Sequence, residues 1–107
     1  MKIGLHLHPE RGVEATFEEA CLADEQGYDS MWLSDHLMGQ SNPQSPDAPL
    51  DAFTQMALLG AVTKQIRLSW TVLNLAPHNP AVLAKMLATI DQLAGGRVIL
   101  ASLRGMA

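Results

Sequence analysis

Short apolar runs recur along this 107-residue chain at roughly the spacing of one strand–helix unit, about 30 residues, and that recurrence restricts the fold more than any other feature. Ile3 to Leu7 reads as a first strand, with Ile3, Leu5 and Leu7 on one face and Gly4, His6 and His8 on the other. Thr16-Phe17-Glu18-Glu19 has the form of a capping box and predicts a helix opening at Thr16 and stopping at Gly27. Met31 to Leu33 is a second strand. Asp51 caps a second helix through about Thr63, with Phe53, Met56, Ala57 and Gly60 on one face. Ile66 to Leu73 reads as a third strand, and Asn79-Pro80 opens a third helix that Gly95-Gly96 closes. Arg97 to Leu100 begins a fourth strand. The order β-α-β-α-β-α-β predicts an α/β fold with all strands parallel, joined by right-handed crossovers. Leu5, Trp32 or Leu33, Val72 and Ile99 are its expected core positions. Four strands and three helices make a small open sheet, or the first half of a (β/α)8 barrel.

Composition narrows the function classes. With 48% hydrophobic and 17% charged residues the chain suits one modest core, so residues 1–107 read as a single domain. A net charge of −4 with only 7 Lys and Arg offers no footprint for nucleic acid or an anionic membrane. The single Cys21, in a helical pattern, reads as a core thiol in a reducing compartment. Met1-Lys2 runs directly into a strand with no apolar stretch of signal-peptide type, and no run approaches membrane-spanning length. The expected location is the cytoplasm.

Chemistry in parallel α/β folds gathers at the carboxyl ends of the strands. Asp35-His36 stands where the second strand stops, pairing a carboxylate with a group that exchanges protons near neutral pH. The plainer reading is a turn-capping Asp beside a tolerant His. Residues Met38 to Pro49, rich in Gly, Ser, Asn, Gln and Pro, form a long loop on the same rim. His6 and His8 make a His-x-His pair at the end of the first strand, with both imidazoles on one side. That pair resembles the metal-dependent amidohydrolase barrels, which require further ligands from later strands. Two polar residues leaving a strand are the plainer alternative.

The wider match is different. Gly27-Tyr28-Asp29-Ser30-Met31-Trp32-Leu33-Ser34-Asp35-His36 closely resembles the second strand of the bacterial luciferase-like flavin monooxygenases, a superfamily that includes enzymes using the deazaflavin coenzyme F420. A second block is similar to the same family: Arg67-Leu68, Thr71-Val72-Leu73, His78 to Lys85, Ala88-Thr89-Ile90-Asp91-Gln92-Leu93 and Gly95-Gly96-Arg97. The resemblance implies a TIM barrel whose rim holds FMN or coenzyme F420 and a small-molecule substrate. It implies Asp35 and His36 as the catalytic pair facing cofactor or substrate, with His36 the proton donor or acceptor. Thr71 and Val72 would form the bulge behind the ring, where many members have a non-prolyl cis peptide, a bond costing roughly 3–4 kcal/mol. His6 and His8 would flank the same pocket, and no metal is expected. The family's glycine-rich run after strand four is largely replaced, since Ala101 and Leu103 precede the single Gly105. The expectation is therefore an amino-terminal half-barrel, inactive alone. Its non-catalytic alternative is a truncated half-barrel that self-associates through its unpaired edges and an uncovered apolar face.

Overall fold

The computed structural model describes residues 2–34, 50–71 and 78–100. Three strands, β1 (Gly4–His6), β2 (Ser30–Leu33) and β3 (Arg67–Trp70), alternate with three helices, α1 (Val13–Glu25), α2 (Ala52–Val62) and α3 (Pro80–Leu93). The sheet order is β1-β2-β3 and both pairings are parallel, as the spacing of the apolar runs predicts. Gly4, Leu5 and His6 lie opposite Ser30, Met31 and Trp32, while Ser30 through Leu33 lie opposite Arg67 through Trp70. Among the described residues the fourth strand is a single parallel bridge, Leu68 to Val98. Two hydrogen bonds frame it, from Leu68 N–H to Arg97 C=O and from Ile99 N–H to Leu68 C=O, each 2.9 Å.

Alternation along these strands creates two unlike faces. Leu7, Met31, Leu33, Leu68 and Trp70 turn toward the helices and pack with Ala20, Ala23, Phe53, Met56 and Leu59 into one core. Gly60 lets α2 approach the sheet closely, since a Cβ there would stand 2.9 Å from a methyl of Leu68. The opposite face, the inside of a barrel, carries Gly4, His6, Ser30, Trp32 and Ser69. Leu5 and Ile99 are only half-buried, unlike the strand-centre positions expected in the core. Val72 lies outside the described residues.

Helix ends follow local chemistry. Asp51 caps α2 by accepting from the N–H and hydroxyl of Thr54, at 2.8 and 2.7 Å. Asn79 caps α3, accepting from Ala81 and Val82 N–H, and Pro80 takes the first turn where no N–H is needed. Gly27 and Gly95 have left-handed backbone (φ 84° and 73°), and the N–H groups of Tyr28 and Gly96 reach back to Ala23 and Asp91 C=O. The start of α1 differs from the capping-box expectation. A 3₁₀ turn over Pro9–Arg11 leads into Gly12 (φ 113°), and the helix begins at Val13. Thr16 therefore falls inside the first turn, and its hydroxyl donates to the Gly12 carbonyl at 2.8 Å instead of capping.

Candidate functional site

Each strand's carboxyl end points to the same rim. β1 runs out at His6, and its line continues through Leu7, whose N–H donates to Trp32 C=O at 2.9 Å. β3 continues one residue past Trp70, with Thr71 N–H donating to Leu33 C=O at 2.8 Å. Ser34 follows β2 directly and keeps its alternation, so Ser30, Trp32 and Ser34 share the inner face. There the His6 Nε2 atom lies 3.0 Å from Ser34 Oγ, joining the first two strands by side chains at the rim. The rings of His6 and His8 stand 5.4 Å apart and tilted. His8, just before the 3₁₀ turn, presents its Nδ1 to the Glu10 carboxylate at 3.2 Å, with both side chains largely exposed.

The described members of the expected site, His6, His8 and Thr71, thus come together on one rim, joined by Ser34. Asp35, His36, Val72 and residues 38–49 lie outside the described residues. Among the described residues no group of three or more His, Cys, Asp or Glu side chains is placed to hold a metal ion. The two-histidine pair therefore gains no third ligand from them.

Below the rim, the inner face is unusual in chemistry. Barrel interiors are ordinarily layered with branched apolar side chains. Here Ser69, opposite Trp32, is 0% exposed, and among the described residues its hydroxyl has no hydrogen-bond partner. The Trp32 indole N–H is already committed to Ser30 Oγ at 2.8 Å. Gly4 leaves room for this arrangement, because a Cβ there would come within 2.8 Å of the Trp32 nitrogen and 2.9 Å of Ser30 Oγ. The Ser30, Trp32, Ser34 and Ser69 positions follow from strand alternation, a signal present in the sequence, whereas which face turns away from the helices is set only by the packing.

The far end of the sheet is a structural clasp. The Asp24 carboxylate accepts from the N–H groups of Lys64, Gln65 and Ile66 at 2.8–2.9 Å. Arg97 spends all five donors, on the carbonyls of Ala94, Ile66, Gly60 and Thr63 and on the Thr63 hydroxyl. Asp91 accepts from Val98 N–H at 3.0 Å, and Arg67 grips Asp29 through one nitrogen at 2.8 and 3.0 Å. The Asp91 and Gly95-Gly96-Arg97 signatures therefore fasten α3 and its exit to the sheet, at the end opposite the rim. A separate apolar groove of about 290 Å³ opens in the helix layer, between Val13 and Phe17 of α1 and Leu50 and Leu58 of the α2 side.

The sequence matches the model of the luciferase-like monooxygenase family over residues 1–105. The chain belongs to that family. Among curated relatives, the 5,10-methylenetetrahydromethanopterin reductase of Methanolobus tindarius is 28% identical over 100 residues, covering 94% of this chain and 28% of that protein. An F420-dependent glucose-6-phosphate dehydrogenase of Amycolatopsis mediterranei is 35% identical over 102 residues, covering 94% of this chain and 30% of that protein. In three dimensions, an F420-dependent secondary alcohol dehydrogenase in complex with an F420–acetone adduct matches with a TM-score of 0.75 and 28% identity, over 94% of this chain and 31% of its own. The oxygenating constituent of 3,6-diketocamphane monooxygenase from Pseudomonas putida, in complex with FMN, matches with a TM-score of 0.74 and 28% identity, over 95% of this chain and 29% of its own. This luciferase-like chain spans less than a third of the length of each of these relatives. Its parallel βα repeat is that of a partial TIM barrel. No helix among the described residues is long and apolar enough to cross a membrane.

Proposed function

We propose that this chain forms the cofactor-facing wall of a cytoplasmic oxidoreductase that uses FMN or coenzyme F420 on a small-molecule substrate. The observation that carries this reading is the convergence of His6, Ser34 and Thr71 on one strand-end rim in a chain that matches the family model over residues 1–105. The names of the relatives, F420-dependent in some and FMN-bound in another, supply the two cofactor candidates.

The residues present fit such a group. A planar ring with polar edges suits an inner face of hydroxyl-bearing side chains, one of them an orphaned buried hydroxyl at Ser69. When bound, the cofactor supplies hydride transfer or oxygen activation. The chain's own residues do the rest. The His6–Ser34 bond holds the mouth of the first two strands in a fixed geometry. Asp35 and His36, directly after Ser34, are the proposed catalytic pair, with Asp35 facing the cofactor and His36 giving or taking the substrate proton. Thr71 and Val72 form the proposed backing of the ring, and His8 its outer flank.

Titration of the purified chain with FMN and with F420, followed by tryptophan fluorescence, tests this reading. Saturable binding of one of them, weakened severalfold in His6→Ala, is the expected result. Binding of neither would remove the proposal.

A further inference from the structure

Ser69 has no structural employment among the described residues. Its neighbours Leu68 and Trp70 enter the helix-side core, and the Trp70 indole N–H donates to Ala52 C=O at 3.1 Å. Ser69 faces the other way, toward the barrel interior, level with Trp32 and one side-chain layer below Thr71. It is 0% exposed, and its hydroxyl has no hydrogen-bond partner among the described residues. A buried hydroxyl without a partner destabilises the fold, and an alanine or valine would remove that cost. Polar groups kept at such a cost concentrate where a ligand makes use of them. The nearest indole offers nothing, since the Trp32 N–H is satisfied by Ser30.

We infer that Ser69 is a binding residue for the pyrimidine edge of the flavin-type ring, the edge of carbonyl and N–H groups that FMN and F420 share. This rests on the function proposed above and adds to it a contact inside the barrel, beneath the rim residues. A hydroxyl both donates and accepts, so it can pair with either a carbonyl oxygen or the ring N–H. In a site shielded from water, that bond is worth more than one on the surface.

The test compares the wild-type chain with Ser69→Ala, reading thermal melting without cofactor and affinity for FMN, F420 and lumiflavin, which is the flavin ring without its phosphate-bearing chain. The expected result is a melting temperature equal to or above that of the wild type, with affinity for all three probes reduced about fivefold to tenfold. Wild-type affinity in Ser69→Ala would overturn the inference and leave the proposed function standing. A loss that appears with FMN but not with lumiflavin would also overturn it, because the contact would then lie outside the ring. A lower melting temperature that accounts for the weaker binding would assign Ser69 a structural role instead. If the wild-type chain binds none of the probes, the function reading fails and this inference fails with it.

Discussion

Three backbone N–H groups, from Lys64, Gln65 and Ile66, converge on the carboxylate of Asp24. Burial alone would raise its pKa, but those three hydrogen bonds and the charge of Arg97 outweigh burial and hold it below the ordinary value of 3.8. A carboxyl whose folded pKa is depressed adds stability that is fully present above its unfolded pKa. That increment is lost as pH falls through the lower folded value. The chain should therefore lose stability between about pH 5 and the depressed folded pKa, with Asp24 contributing to the slope. In Asp24→Asn, stability at pH 7 should fall by about 1–2 kcal/mol and the acid-side slope should flatten. Urea unfolding at stepped pH measures both, and an unchanged slope would show that this carboxylate is not linked to folding.

At the scale of elements, α3 and its exit depend on Arg97, whose planar fork reaches four backbone carbonyls and one hydroxyl at once. Lysine offers three donors from a single point and cannot span the same set. Arg97→Lys should destabilise the chain by about 2–3 kcal/mol while leaving the rim geometry, and hence cofactor affinity below the melting transition, nearly unchanged. Denaturation midpoints together with a binding curve check the split. The element plan was legible because each helix boundary is written in a few neighbouring residues: Asp51, Asn79-Pro80, Gly27, and Gly95-Gly96. The parallel order followed from the spacing of Ile3, Met31 and Ile66. The start of α1 is not legible in this way, because Thr16 and Glu19 imitate a capping box whereas Gly12 and the preceding 3₁₀ turn set the boundary. The Asp24 and Arg97 contacts span 31 to 42 residues, apart from Arg97 to Ala94, and no local pattern announces them. At the site, the strand-end logic placed His6, His8 and Thr71 on one rim, but the His6–Ser34 bond and the orphaned Ser69 emerge only from the register of β1, β2 and β3.

For the whole molecule, the two faces of the sheet decide how it meets its surroundings. Helices α1 to α3 cover the apolar face, and the other face of the described strands carries Gly4, His6, Trp32 and the buried hydroxyls of Ser30 and Ser69 rather than a bare hydrophobic core. Self-association, if driven by the open side, must then come from unpaired strand edges such as that of β1, whose only partner among the described strands is β2. Sedimentation of the chain should show dimers or larger species, and Ile3→Lys, which places a charge at the exposed start of that edge strand, should shift it toward monomer. A monomer at all concentrations would rule out edge pairing. The central claim is that chemistry belongs to the rim of His6, Ser34 and Thr71, while the Asp24 and Arg97 end holds the fold together. Amide chemical-shift mapping during titration with FMN or F420 tests it most directly. The account predicts that the largest perturbations fall on His6, Ser34, Ser69 and Thr71. Perturbations centred on Asp24 and Arg97, or on the Phe17–Leu58 groove of the helix layer, would contradict it.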